Sequence, residues 1–398
     1  MNETLVNIMK KINIGLFGFG VVGEGIYKVL SEKSQLNTEI KKIVIKHPEK
    51  KRNAPAQLFT TDAKEILDDP EIDIVVELID DAEAAFEIAK TAMNSGKSVV
   101  SANKKMIAEH ASELIELQRK NKVSFLYEAA VCGSIPIIRN LEEYYDNDLL
   151  NYVKGIVNGS TNYILTKMKS ENQSYDDALF SAQKNGFAES DPTLDVEGID
   201  AANKLSIIIL HAFGRLISHE EILRKGITSL KTEDFQYATE KGLVIKLIAS
   251  CQLDDKNKLI PTVLPTFIEK SKTLALVNNE FNGVLIGSAL ADEQFLYGKG
   301  AGRFPTSSAV LSDISALRYS YKYELRKGIQ NGFQSNYSSL QRIYLGFDPK
   351  ENIDQNLFEN IEESYQSNHH AYVTGSINLE KLKSSGWLEN KAISIIAF

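Results

Sequence analysis

The sequence predicts an α/β fold: an N-terminal doubly wound parallel sheet, then an α+β section, then a small α/β section at the C-terminal end. Three observations carry this. Short apolar runs alternate with amphipathic helical stretches over residues 10–135, the pattern of right-handed βαβ crossovers. The first run leads directly into Gly18-Phe19-Gly20-Val21-Val22-Gly23. After Pro136 the strict alternation gives way to helices mixed with strand-like runs.

Taken in order, Ile12–Phe17 is a short buried strand, followed by a helix to about Ser31. Ile40–Lys46 reads as the second strand, Ala63–Leu67 as a helix and Asp73–Leu78 as a strand. A helix over Ala82–Ser95 ends at Gly96, a natural C-terminal stop. Ser98–Ser101 is a strand, Lys105–Lys120 a helix and Val123–Tyr127 a strand. Beyond Pro136, helices are expected at Ile137–Tyr145, Tyr163–Ser170, Tyr175–Asn185, Ala201–Phe213 and Thr232–Tyr237. Strands are expected at Tyr152–Val157, Val244–Cys251, Ile260–Leu264 and Phe281–Ile286. The last section pairs two strands, Leu340–Leu345 and Ala371–Ile377, around an acidic helix at Leu357–Ser367. The divisions are therefore 10–135, a nucleotide-binding domain; 136–334, a substrate-binding and catalytic domain; and 335–398, a small C-terminal section.

With 53 acidic and 45 basic side chains, the net charge is −8. That disfavours non-specific nucleic-acid binding, which needs a basic face. Two cysteines exclude a disulfide scaffold and fit a reducing compartment. No apolar run reaches a membrane span, and Met1–Lys11 lacks a signal-peptide pattern. The expectation is a cytoplasmic protein with no membrane partner. The six histidines show no metal-ligand spacing; His211 reads as a core residue, and His369-His370 as an exposed pair.

The glycine turn follows a strand and opens a helix, the context in which it binds a dinucleotide. Gly18 permits the tight turn, Gly20 lets backbone approach the pyrophosphate, and Gly23 lets helix pack on strand. Where an acidic residue would bind the NAD ribose, the chain has Lys46-His47-Pro48-Glu49-Lys50-Lys51-Arg52. Lys46 and its basic neighbours either pair with a 2′-phosphate, giving NADP over NAD, or form a solvated basic loop. At the end of the Ser98–Ser101 strand, Ser101 and Lys104 fall at the ligand crevice. Farther on, Gly186–Lys204 gathers Glu189, Asp191, Asp195, Glu197 and Asp200 ahead of Lys204. Asp200 and Lys204 share a helix face at i, i+4. The stretch is either an acidic pocket with a proton-moving lysine or a solvated loop capping a helix. Asp191, before Pro192, reads as a turn residue.

Six segments in order resemble the homoserine dehydrogenase family, over about Lys11 to Ala316. They are Gly15–Gly23, Val99-Val-Ser-Ala-Asn-Lys104, Glu128-Ala-Ala-Val-Cys-Gly-Ser-Ile-Pro136, Gly155-Ile-Val-Asn-Gly-Ser-Thr-Asn-Tyr163, Gly186–Lys204 and Gly298-Lys-Gly-Ala-Gly-Arg-Phe-Pro-Thr306. The resemblance implies reversible NAD(P)-dependent hydride transfer between L-homoserine and L-aspartate 4-semialdehyde, in threonine, methionine and isoleucine biosynthesis. It implies Lys204 and Lys104 as the catalytic pair, with Glu189, Asp195, Asp200, Gly159 and Ser160 binding the amino-acid substrate. It adds Gly302 near the nicotinamide, beside Gly18 to Gly23, Lys46, Ser101 and Lys104 at the cofactor. It implies a monovalent cation, Na+ or K+, on the backbone carbonyls of Glu128, Val131, Gly133 and Ile135, and a homodimer. Two departures stand out. Asp80-Asp81 replace a glycine pair common in the family, and residues 335–398 are short for its ligand-binding regulatory domain of the ACT type, so the resemblance implies either a reduced form of that domain or an oligomerisation element.

Overall fold

The computed structural model describes residues 11–32, 36–146, 149–329 and 337–398. They form two compact units. One contains the chain up to 146 together with 299–329; the other contains 147–298 and the chain from 330 onward. These units cut across the division at 135/136 and 334/335. The reason is the Arg303–Leu317 helix, to which sequence periodicity assigns no element. Ser307 Oγ on that helix donates to the carbonyl of Val22 at 3.1 Å, so the segment packs with the first unit.

In the first unit, six parallel strands are ordered β3-β2-β1-β4-β5-β6. They are β1 (Ile12–Phe17), β2 (Thr38–Val44), β3 (Phe59–Thr60), β4 (Ile74–Glu77), β5 (Ser98–Ser101) and β6 (Phe125–Leu126). Helices Val21–Glu32, Ala82–Asn94 and Lys104–Asn121 make the crossovers. Ile14, Leu16, Val75, Val76, Val99 and Val100 are all at most 0% exposed. Each such side chain contributes roughly 1.5–3 kcal/mol on burial. Order reverses between β1 and β4, where parallel sheets open a ligand crevice beyond their carboxyl ends.

The second unit holds a ten-stranded mixed sheet, ordered β12-β11-β7-β9-β10-β16-β13-β15-β14, with β8 paired to β10. Its strands are β7 (Leu150–Ile156), β8 (Leu223–Arg224), β9 (Leu243–Leu253), β10 (Leu259–Glu269), β11 (Phe281–Ser288), β12 (Asp292–Lys299), β13 (Leu340–Phe347), β14 (Phe358–Gln366), β15 (Ala371–Asn378) and β16 (Ser394–Ala397). The C-terminal residues thus join the sheet of residues 150–288. One apolar cluster binds them, combining Leu223, Ile260 and Leu264 with Ile343, Val373, Trp387 and Ile395. Lys225, 5% exposed, fastens the same join. Its ammonium donates to the carbonyls of Trp387, Leu388 and Asn390 at 3.1, 3.0 and 2.8 Å.

Two expectations are corrected. The acidic stretch at Leu357–Ser367 is strand β14, at the edge of the sheet. Its glutamates favour helix as isolated residues, but each meets a cation on a neighbouring element: Glu359 with Lys381, Glu362 with Arg342, Glu363 with Lys241. Two register shifts within it break the alternation a strand normally shows. His370 is buried, unlike exposed His369, and its Nε2 lies 3.0 Å from the Tyr344 hydroxyl.

Candidate active site

In the first unit the glycine turn lies between β1 and the Val21–Glu32 helix. Gly18 has φ +93°, and its N–H donates to the Val44 carbonyl at 3.0 Å. A Cβ there would lie 2.7 Å from the Leu78 carbonyl oxygen, and one on Gly23 would lie 2.5 Å from that of Gly18. A Cβ on Gly20 would meet nothing within 4 Å. The turn is therefore closed toward the sheet and open at Gly20, the shape a backbone-bound pyrophosphate needs. Phe19 packs edge-on against Tyr27 and Phe59. The Val21–Glu32 helix opens here.

Lys46 is exposed past the end of β2, as are Lys50 and Lys51, while the Arg52 guanidinium lies over the Phe59 ring. Gly302 belongs to this unit too, with φ +117°, and a Cβ there would meet only the Pro305 ring, at 3.6 Å. It caps the Arg303–Leu317 helix, and Arg303 pairs with Glu24 at 2.9 Å, within the helix that opens at the glycine turn.

At the carboxyl ends of β4 and β5, Glu77 and Ser101 are both fully buried, with Glu77 Oε2 and Ser101 Oγ 2.5 Å apart. Burial pushes the Glu77 carboxyl up to about 7, against the pull of the Ser101 hydroxyl and the Ile79 N–H. Lys104, half-buried, is the first residue of an 18-residue helix capped by Asn103, whose Oδ1 accepts from the Met106 N–H at 2.9 Å. The Asp80-Asp81 departure has a local cause. Asp81 is the N-cap of the Ala82–Asn94 helix, accepting from the Ala84 N–H at 3.0 Å.

The segment from Glu128 to Ile135 is also in this unit. Glu128, Val131, Gly133 and Ile135 are buried. The Glu128 carboxylate accepts the N–H groups of Ile138 and Arg139, both at 2.8 Å, so the side chain caps the Ile137–Glu143 helix. Burial raises its carboxyl to about 8, with the charge of Asp313 adding to the effect. Gly133 has φ +54°, and a Cβ there would lie 2.5 Å from the Gly300 carbonyl oxygen. The Ile135 carbonyl accepts from the Ile137 N–H at 2.8 Å, which leaves its second lone pair for another partner.

The second unit assembles the acidic segment. Lys204, 8% exposed, donates to Asp200 Oδ2 at 2.7 Å and to the Val157 carbonyl at 2.8 Å. Asn158 Nδ2 donates to the same Asp200 oxygen at 2.8 Å and to Asp195 Oδ1 at 2.6 Å. Asp195, Asp200 and Lys204 are thus one network, joined by a residue the sequence reading does not single out. Asn158 also caps the Gly159–Ser170 helix through its Oδ1. An asparagine before Gly-Ser-Thr at a strand's end is a cap signal that could have found it.

Gly159 is forced by crowding, since a Cβ there would lie 2.6 Å from the Glu280 carbonyl oxygen. Ser160 Oγ donates to the Phe187 carbonyl at 2.6 Å. Glu189 presents an exposed carboxylate, its carbonyl accepting from Gln183 at 3.0 Å. Asp191 accepts from the Thr193 N–H and hydroxyl, which hold its carboxyl below the usual range, so it acts as a turn residue. Lys104 belongs to the first unit and Lys204 to the second.

Residues 18–128 match the family model described as Homoserine dehydrogenase, NAD binding domain, and residues 136–315 match the one described as Homoserine dehydrogenase. The homoserine dehydrogenase of Bacillus subtilis is 39% identical over 318 residues, covering 78% of this chain and 73% of that protein. A crystal structure of a homoserine dehydrogenase from Thiobacillus denitrificans has a TM-score of 0.84 at 30% identity and covers 97% of both chains. A hyperthermophilic archaeal homoserine dehydrogenase mutant, solved in complex with NADPH, has a TM-score of 0.67 at 27% identity, covering 79% of this chain and 99% of that one.

Proposed function

Because the chain belongs to the homoserine dehydrogenase family, we propose a role in its reaction for each residue of the two half-sites. Homoserine dehydrogenases interconvert L-homoserine and L-aspartate 4-semialdehyde, and the chain is an oxidoreductase of that kind with a nucleotide-binding domain. A nicotinamide dinucleotide, when bound, supplies or takes the hydride. Gly18 to Gly23 hold its pyrophosphate, with Ser101, Lys104 and Gly302 toward the nicotinamide.

One observation carries the assignment: a buried lysine whose ammonium is aimed by Asp200 Oδ2 and the Val157 carbonyl. These use two of its three donor positions. The third donates a proton to the aldehyde oxygen as that oxygen gains an electron pair, and the reverse reaction returns it. Lys104, in the first unit, is a second ammonium of the kind that stabilises such an oxyanion. Glu189, Asp195 and Asp200 supply negative charge for the substrate's α-ammonium, and Gly159 and Ser160 border its carboxylate.

The basic run Lys46 to Arg52 supports NADP over NAD, and the carbonyls of Glu128, Val131, Gly133 and Ile135 support a Na+ or K+ ion. Two free, buried cysteines fit a cytoplasmic setting, and no helix among the described residues is long and apolar enough to cross a membrane. The family implies a homodimer. The decisive test follows NADPH oxidation with aspartate semialdehyde. Lys204→Met should lower kcat by about 10²–10⁴-fold while NADPH binding persists; near-normal turnover would remove the assignment. A clear preference for NADH in the same assay would overturn the NADP reading. Activity unchanged after exchange of Na+ and K+ for a bulky organic cation would overturn the ion.

A further inference from the structure

We propose that Glu77 is a positioning residue for Lys104, acting through a closed ring of hydrogen bonds that joins the carboxyl ends of β4 and β5. This rests on the assignment of Lys104 above. The ring can be followed atom by atom. The Ile79 N–H donates to Glu77 Oε1 at 2.6 Å. Asn103 Nδ2 donates to the Ile79 carbonyl at 3.0 Å. The Asn103 backbone N–H donates to Ser101 Oγ at 3.0 Å. Ser101 Oγ returns to Glu77 Oε2 at 2.5 Å.

Asn103 has its backbone N–H and side-chain amide in the ring and its side-chain oxygen on the Met106 N–H. It therefore has one orientation. Lys104 is the next residue and the first of the helix that Asn103 caps. Its Cα and the direction of its side chain are inherited from the ring.

The burial argues that this carboxyl is more than incidental. Glu77 ends the run Ile74-Val75-Val76, and all four are buried in a strand with neighbours on both sides. At such a position an apolar residue avoids the desolvation penalty of a carboxyl. A fully hydrogen-bonded buried polar group instead fixes one geometry. Asp80 opposes a charge on Glu77, and Asp81 is held at its own cap. The Ser101 hydroxyl is engaged inside the ring and fully buried, so its contribution to the cofactor site passes through Asn103 and Lys104.

The test opens the ring in two ways and closes it in a third. Glu77→Ala removes both carboxyl contacts. Asn103→Ser keeps a capping oxygen but removes the arm to Ile79, and it decides the matter if Glu77→Ala does not fold. Each should lower kcat about 10–100-fold, with the KM for aspartate semialdehyde and the NADPH Kd within about threefold of wild type. Glu77→Gln keeps an acceptor for Ile79 and a polar contact to Ser101. It should restore kcat to within about threefold. Folding is checked by thermal melting in all three. Full kcat in folded Asn103→Ser or Glu77→Ala would overturn the proposal, as would a Glu77→Gln enzyme as impaired as Glu77→Ala. A wild-type chain inert toward the semialdehyde would instead overturn the function, independently of the ring.

Discussion

Lys246 stands within β9, 2% exposed, with its ammonium among three oxygens: Val277 O at 2.5 Å, Asn162 Oδ1 at 3.1 Å and Asn278 Oδ1 at 3.2 Å. Asn162 in turn donates to the carbonyls of Val277, Asn279 and Phe281. The pair therefore pins the loop whose Glu280 carbonyl abuts Gly159. Burial, with Lys169 adding to it, pushes the Lys246 ammonium down from 10.5 to about 7. The unfolded chain keeps this proton up to about 10.5; the folded chain releases it near 7. Between those values the unfolded state binds more protons, so stability rises with pH across the window. Urea denaturation should show about 2 kcal/mol more stability at about pH 9 than at about pH 7 from this group. Lys246→Met should lack that increment; an equal pH dependence in the mutant would disprove it. At this scale the sequence is informative where spacing is short. Asp200 and Lys204 are one helical turn apart, and their ion pair is readable from that. Asn158 meets Asp200 across 42 positions, and only folding reveals such a partner.

Helices and strands show the same divide between local and distant causes. The Ala82–Asn94 helix is legible from its apolar stripe and its terminal glycine. Its start is set by Asp81, where cap chemistry replaces a glycine of the family pattern. Asp81→Ala should cost about 1 kcal/mol and Asp81→Gly only a few tenths, because glycine is itself an acceptable cap. Thermal melts of the two variants check this; an Asp81→Ala variant as stable as the wild type would mean the cap contributes nothing. Strand β14 was not legible because its glutamates gain their partners from β13, from the Leu379–Ser384 helix and from Lys241. Buried parallel strands such as β4 and β5 announce themselves by uninterrupted apolar residues. An edge strand with one buried residue in nine does not.

For the whole molecule, the parallel sheet and its glycine turn could be read in advance, whereas the grouping of segments could not. Residues 299–329 return to the first unit, and the C-terminal residues complete the sheet of the second. Neither follows from local composition. The second fact bears on the idea of a separable regulatory module. Deleting residues 337–398 would expose Leu223, Ile260 and Leu264 and strip the Lys225 ammonium of its three carbonyl partners. A newly exposed apolar face of this kind is an aggregation liability. The truncated chain should aggregate in size-exclusion chromatography with light scattering; a monodisperse, active product would refute this. On the homodimer proposed above, the intact chain should elute at twice 44.3 kDa; elution at 44.3 kDa would overturn it.

The acidic edge strand also governs how copies of the molecule treat each other at high concentration. Its outer backbone groups could template a further strand, and charges along such a rim discourage that. The Lys241 ammonium keeps the Glu363 carboxyl below its ordinary range, so this deterrent persists into mildly acidic buffer. Stronger acid would protonate these glutamates and leave the cations beside them, so the rim would change the sign of its charge rather than lose it.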